Sequence, residues 1–310
     1  MDYRQFVEEQ SEELRNTVGS GIAINALSGG VDSSVVTALA HRALGRRLKT
    51  YFVENGLMRE GEAKRVVSLF RRQSIPVKLV DARAEFLAAL KGLTDPEEKR
   101  EAITRTFYRD VFARLVRESG ARFLLHGTIL TDIEETVAGI KRQHNILAQL
   151  GIDPEKEFGY RVLEPLKTLR KDGVRKVAAL LGLPAEITKR IPFPGPALAA
   201  RIVGEVTEAE LKLVRAATAI VEEELKSSKA FQYLAVLLKD CATGIRKNRR
   251  EFGRIVVVRC IQSTDARTAT ATRLPWPKLE RICARIVALP GVNRCLYDLT
   301  PKPPATVEYV

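Results

Sequence analysis

Apolar and polar positions change period repeatedly along the first 190 residues. Short apolar runs at 21–27, 48–54, 76–81, 121–126 and 161–163 read as strands. Between them, residues 33–44, 61–72, 96–118 and 171–182 carry helical spacing. The longest of these opens on Asp95-Pro96-Glu97-Glu98, a capping aspartate followed by proline at the first helical position. Such alternation predicts a doubly wound parallel α/β sheet with helices on both faces. Pro192-Phe193-Pro194-Gly195-Pro196 then breaks any helix, which places a domain boundary near 190/191. Beyond it the pattern predicts an amphipathic helix over 207–227, with Thr207 as N-cap and Glu210 closing a capping box. Strands follow at 231–238 and 253–262, a helix at 275–289, and short strands near 294–299 and 305–309. Residues 191–310 are thus expected to form a smaller α+β domain. Residues 137–160 show weak periodicity and read as a lid loop within the 1–190 domain.

In a parallel sheet, ligands bind beyond the C-terminal ends of the strands. Three polar segments follow such ends, at 28–32, 55–59 and 127–135. The first begins Ser28-Gly29-Gly30-Val31-Asp32-Ser33-Ser34, between an apolar strand and a helix start. Two glycines let the backbone approach a ligand, the serines offer hydroxyls, and a helix N-terminus favours an anion. The turn therefore suits phosphate, yet it carries no lysine and is not a Walker A loop. Asp32 fits a phosphate cradle when Mg²⁺ lies between the two; otherwise it reads as a plain helix cap.

Charge sharpens the ligand class. Lys and Arg number 51 against 38 Asp and Glu, a net charge of +13, which fits a polyanionic ligand such as a nucleotide as well as a simply solvated basic surface. The basic residues are dispersed and aromatics sparse, so nucleic acid is the weaker partner class. The four cysteines (Cys241, Cys260, Cys283, Cys295) form no Cys-x-x-Cys pair, which argues against zinc and against a disulfide framework. Reduced thiols, no signal-peptide pattern at the start and no bilayer-length apolar run make the cytoplasm the expected address and exclude a membrane span.

The string from Ser28 to Ser34 matches the pyrophosphate loop of the N-type ATP pyrophosphatases. Other segments resemble the GMP synthetases: residues 52–62, Phe52-Val53-Glu54-Asn55-Gly56-Leu57-Met58-Arg59-Glu60-Gly61-Glu62; Gly127-Thr128 with Asp132 and Glu135; and Ile140-Lys141 with His144-Asn145. So do Glu164-Pro165-Leu166 with Lys171-Asp172, Pro192 to Pro196 with Arg201, and the tail from Lys302 to Glu308. The resemblance spans both domains and lacks a glutamine amidotransferase domain. It implies an adenine nucleotide hydrolase-like sheet with a smaller α+β dimerisation domain, and a ligase that uses ATP to convert XMP to GMP through adenylyl-XMP. Ammonia would come from a separate glutaminase subunit, and the chain would pair as a homodimer.

The resemblance also distributes roles. Ser28, Gly29, Gly30, Val31, Ser33 and Ser34 would hold pyrophosphate, and Asp32 with Asp132 would ligate Mg²⁺. Val53 would lie near adenine, and Gly127 and Thr128 near the ATP ribose or phosphates. Lys141 would meet the α-phosphate. Arg201, Lys302, Thr306, Val307 and Glu308 would receive XMP, with Lys302 on its 5′-phosphate. Asp132, Glu135, Lys141 and Lys302 also read as ordinary surface charges. The chain departs from the family pattern at Arg142, Gln143, Leu147 and Ala148 in the lid, at His126, and at Lys247, Asn248 and Arg267. These departures leave open a paralogue that adenylylates another purine nucleotide or RNA, or a non-catalytic nucleotide-sensing subunit.

Overall fold

The computed structural model describes residues 1–137, 160–188, 193–264 and 267–309, with side chains left out at 135–137. Contacts divide the chain into two compact units. One holds Met1–Glu54, Ala63–Ala82 and Thr104–Arg190; the other holds Asn55–Glu62, Arg83–Ile103 and Ile191–Val310. The main division thus falls at 190/191, while two earlier segments group with the second unit. Among the described residues no helix is long and apolar enough to cross a membrane.

The first unit is built on a five-stranded sheet of order β3–β2–β1–β4–β5. Its strands are β1 (Ala23–Ala26), β2 (Leu48–Glu54), β3 (Val77–Asp81), β4 (Phe123–Leu125) and β5 (Arg161–Leu163), all parallel. The order reverses between β1 and β4, the switch point at whose carboxyl edge such sheets bind their ligands. Helix α1 (Tyr3–Val18) and helix α2 (Val31–Leu44) pack together, α2 burying Val35, Val36, Leu39 and Ala40. Asn25, buried in β1, donates to Thr37 Oγ1 of α2 (2.6 Å) and accepts from Thr50 Oγ1 of β2 (2.7 Å). That polar tie holds the start of α2 against the central strands. α3 (Glu62–Arg72) connects β2 to β3.

After β3 comes a short helix, α4 (Arg83–Leu90). The helix expected at 96–118 follows it, continuous but not uniform. α5 (Pro96–Arg105) passes into a π-helical turn at Thr106–Phe112, which leads into α6 (Ala113–Ser119). Asp95 caps α5 by accepting from the N–H groups of Glu97 and Glu98. Helix α7 (Leu130–Val137) follows β4, and α8 (Lys171–Leu180) and α9 (Ala185–Thr188) follow β5. Helices α1, α4, α7 and the short α9 were not expected from the sequence. In α1 only a narrow stripe (Phe6, Val7, Leu14, Val18) is buried apolar, too thin to stand out amid charged neighbours.

The second unit centres on a long hairpin, β6 (Gln232–Arg246) with β7 (Arg249–Gln262). Short β8 (Thr270–Ala271) pairs antiparallel with β7, and β9 (Val292–Asp298) pairs parallel with it. Helices α10 (Glu208–Leu225) and α11 (Trp276–Val287) belong to it, as do α4 and most of α5. Thr207 Oγ1 accepts from the Glu210 N–H, the N-cap expected from the sequence, and donates to the Glu210 carboxylate, where a full capping box would use the Thr207 N–H. The hairpin strands outrun the expected 231–238 and 253–262 because their distal ends, with Ile245 and Phe252 exposed, lose the buried alternation. Lys247 and Asn248 form its turn, both at positive φ (50° and 61°), as two-residue hairpin turns require. The strand expected at 305–309 is absent. Pro301, Pro303 and Pro304 cannot donate to a ladder, and the tail makes a single bridge, Lys302 with Ala269.

Candidate active site

The phosphate-type loop sits where the doubly wound order reverses. Leu27 N–H still bonds the Tyr51 carbonyl (2.8 Å), after which Gly29 at φ 80° turns the chain. Gly30 is the N-cap of α2, and no side chain caps that end. First-turn N–H groups are therefore directed to whatever anion enters. Ser28 and Ser33 share a 2.9 Å hydrogen bond between hydroxyls, Ser33 Oγ donates to the Gly30 carbonyl (3.1 Å), and Gly30 N–H donates to Ser28 Oγ. Val31 and Ser34 lie beneath the loop, buried; Ser34 N–H is spent on the Gly30 carbonyl. The Ser34 hydroxyl is buried with no hydrogen-bond partner, whereas Ser28 is exposed and Ser33 half-buried.

Asp32 is the electrostatic centre. Its Oδ2 accepts from Lys171 Nζ at 2.6 Å, while its Oδ1 is buried with no hydrogen-bond partner. A buried carboxylate oxygen left unpaired costs free energy unless a cation or donor completes it. Lys171 is the first residue of α8 and lies 139 positions away in sequence. The sequence shows it only as part of a motif without a role. Gly127 closes the arrangement: a Cβ there would stand 3.3 Å from Ser33 N and 3.5 Å from Asp32 Cβ. The loop after β4 therefore lies close enough to the loop after β1 that a side chain at 127 would crowd it.

Next to it runs a chain of side chains across the ends of β4 and β5. Thr128 Oγ1 donates to Glu164 Oε1 (2.6 Å) and pairs with His126 Nδ1 (2.9 Å); His126 Nε2 pairs with Tyr108 Oη (3.2 Å). Since Thr128 gives its proton to Glu164, His126 donates from Nδ1 and accepts from Tyr108. Burial pushes the Tyr108 hydroxyl up to about 12, which keeps it a donor. Asp132 Oδ2 accepts from the Ile129 N–H at the start of α7 (3.1 Å). Val53 is half-buried near the end of β2, paired with Val80 of β3. A cavity of about 680 Å³ opens instead at the other end of β2 and β3, beside Arg46, Lys49, Arg71 and Lys78, and shares no residue with these loops.

In the second unit, Arg201 is 1% exposed and clasps Glu308 with two 3.1 Å bonds, Nε to Oε2 and Nη2 to Oε1. Gln232 donates to the same Glu308 carboxylate. Phe193 lies under two guanidinium groups, Arg59 at 3.9 Å and Arg201 at 4.9 Å from the ring centre. Arg59 pairs with Glu222, and the Nη1 atoms of Arg59 and Arg201 are buried with no hydrogen-bond partner. Arg59, Phe193 and Gln232 belong to this cluster without having been singled out as site residues; only the fold brings them to Arg201. Thr306 gives its carbonyl to Arg259 and its hydroxyl to the Glu308 carbonyl, Val307 is half-buried, and Lys302 is held by its backbone against Ala269.

Lys141 and the lid expected at 137–160 lie outside the described residues, as do Arg142, Gln143, Leu147 and Ala148, apart from the backbone end of α7 at 137 and Tyr160. Lys247 and Asn248, read as part of an altered acceptor region, are the turn of the β6–β7 hairpin. Among the described residues no three His, Cys, Asp or Glu side chains gather into a metal-binding group.

Comparison with known proteins settles the family. Residues 219–309 match the model described as GMP synthase C terminal domain, and residues 21–128 the one described as asparagine synthase. The B subunit of the glutamine-hydrolyzing GMP synthase of Archaeoglobus fulgidus is 48% identical over 310 residues, covering all of both chains. The chain belongs to the GMP synthase family. The corresponding B subunit from Pyrococcus horikoshii is 46% identical over 313 residues, again covering all of both chains. The GMP synthase of Thermomicrobium roseum is 47% identical over 98% of this chain and 59% of its own length. An NH3-dependent NAD synthetase structure from Campylobacter jejuni, in complex with nitrate, has 16% identity and a TM-score of 0.49, covering 61% of this chain and 77% of that one. The match to the asparagine synthase model ends at Thr128, so it takes in the loops after β1 and β4; the match to the GMP synthase model takes in β6 to β9 and the tail.

Proposed function

We infer that this chain is the ATP pyrophosphatase component of a two-subunit GMP synthase. It transfers AMP from ATP to the 2-oxo group of XMP and releases pyrophosphate. Ammonia then displaces AMP and leaves GMP. The observation that carries this reading is the loop itself: an uncapped helix N-terminus whose Asp32 is held by Lys171 on one oxygen and left open on the other.

In the first step the xanthine oxygen attacks the α-phosphorus and the bond to the β-phosphate breaks. Negative charge grows on the departing pyrophosphate, where the α2 N–H groups and the Ser28 and Ser33 hydroxyls receive it. Lys171, placed beside the loop, follows the same charge. Asp32 Oδ1 fits a hard cation, and Mg²⁺ characteristically takes one or two carboxylates and fills its remaining positions with phosphates and water. Asp132 is the second candidate carboxylate. When bound, Mg²⁺ would neutralise charge across the α–β bond. Gly127 and Thr128 border the phosphate loop, Val53 suits the adenine, and Lys141 remains the candidate cation for the α-phosphate.

The acceptor site is assigned to Arg201, Lys302, Thr306, Val307 and Glu308. The unpartnered Nη1 of Arg201 offers a donor that an oxo or phosphate group can take, with Arg59 beside it. Glutamine hydrolysis belongs to a separate amidotransferase subunit. Pairing into a homodimer and a cytoplasmic address complete the proposal; sedimentation at micromolar concentration tests the first, and fractionation of the source cells the second. The adenylylation step is tested by exchange of labelled pyrophosphate into ATP. Exchange that requires both XMP and Mg²⁺ supports the reading. Exchange without XMP, or none while ATP binds, would overturn it.

A further inference from the structure

Arg259 sits near the end of β7, 1% exposed, and no step of the proposed reaction uses it. Its donors converge on the chain that follows β9. Nη1 donates to Asp298 Oδ2 (2.6 Å) and to the Thr300 carbonyl (2.9 Å), and Nη2 donates to the Thr306 carbonyl (2.9 Å). Its Nε is buried with no hydrogen-bond partner. A buried cation with one donor unspent is a poor device for stability alone, because desolvation offsets much of the ion pair. What distinguishes the group is its grip on two points of the tail, six residues apart.

Among the described residues the tail has little backbone pairing. Pro301, Pro303 and Pro304 supply no N–H, and the backbone bonds there are the Lys302–Ala269 bridge and Ala305 N–H to the Pro301 carbonyl. At its far end Glu308 is held by Arg201 and Gln232. Between these anchors, the residues assigned to the acceptor stand on a strand-free segment. We propose that Arg259 is a positioning residue. It orders the span from Thr300 to Thr306 before the acceptor arrives, so that Lys302, Thr306 and Val307 meet XMP already placed. The proposal rests on the assignment of this tail to the acceptor site.

The planar fork is needed. Lysine brings one nitrogen and cannot reach an aspartate and two carbonyls with fixed geometry. With Arg259→Lys the tail would be ordered only when XMP binds, and that cost weakens binding of ground state and transition state alike. The expected signature is a KM for XMP raised by about tenfold or more, with kcat at saturating XMP within about twofold and KM for ATP unchanged. Hydrogen exchange of the peptide covering 299–309 would accelerate in the ligand-free variant, with the rest of the chain as in wild type.

The experiment uses the full chain with ATP, Mg²⁺, XMP and ammonium chloride, so that no glutaminase is required. Asp298→Asn serves as the milder companion, leaving both carbonyl bonds, and should shift the same two readouts less; it decides the matter if Arg259→Lys does not fold. Wild-type tail exchange together with wild-type KM for XMP would overturn the proposal. So would a fall in kcat with KM unchanged. If the wild-type protein itself shows no XMP dependence, the acceptor assignment fails, and faster tail exchange in Arg259→Lys would then mark the clamp as structural.

Discussion

Asp32 meets two demands that only a carboxylate reconciles. One oxygen takes the Lys171 ammonium, and the other stays buried without a hydrogen bond. Asp32→Asn keeps the size but removes the charge. It should lower XMP-dependent pyrophosphate release on the order of 10²- to 10³-fold, with the loss not restored by raising Mg²⁺. Steady-state rates across a Mg²⁺ titration check this; a near-normal rate would remove Asp32 from the reaction. At Asp298 burial opposes ionisation, but hydrogen bonds from Thr300 and the nearby Arg259 outweigh it and hold the carboxyl below its ordinary 3.8. A depressed carboxylate contributes stability that is present above its unfolded value and lost as pH falls through the folded one. Asp298→Asn should therefore lower stability at neutral pH, with the gap to wild type closing as pH drops below 3.8. Urea unfolding at several pH values reads this directly. At this scale the sequence reveals local chemistry well: Ser28, Gly30, Asp32 and Ser33 lie in one short loop and carry their own signal. It hides partners that come from far along the chain, as Lys171 does for Asp32, Arg59 for Phe193 and Arg259 for Thr306.

Elements place these residues, and their boundaries follow physical rules that the chain displays unevenly. Helix α10 is legible because Thr207 and Glu210 cap it locally, and β2 and β5 because short apolar runs stop where polar loops begin. The π-helical turn at Thr106–Phe112 is not legible, since its sequence keeps ordinary helical spacing, yet it presents Tyr108 to His126. Nor is the failure of a strand at 305–309 visible from apolar pattern alone; the prolines before it decide. Gly127 shows how closely two elements must approach for the site to form. Gly127→Ala would set a methyl 3.3 Å from Ser33 N and push the β4 loop off the phosphate loop. KM for ATP is expected to rise by about tenfold, with overall stability changed by about 1 kcal/mol. Unchanged ATP kinetics would mean that the two loops act separately.

On the scale of the whole molecule, two units with different architecture share one chain. The parallel sheet of the first brings the loops after β1 and β4 to one crevice, and its five strands are readable from the alternation of periods. Assignment of Asn55–Glu62 and Arg83–Ile103 to the second unit is not, because nothing in their composition separates them from the segments around them. The net charge of +13 agrees with a protein whose substrates are a nucleoside triphosphate and a nucleoside monophosphate, and the attraction it gives is screened by salt. Full-length identity near one half with the B subunit of the Archaeoglobus fulgidus GMP synthase makes the departures at His126 and Lys247 variations within a family; His126 has a place in the hydrogen-bond chain and Lys247 in a turn. The most direct measurement is turnover of the purified chain with ATP, Mg²⁺, XMP and ammonium, following GMP, AMP and pyrophosphate by chromatography. The account expects the three products in equal amounts and none without XMP. ATP binding without XMP-dependent release of AMP and pyrophosphate would contradict it.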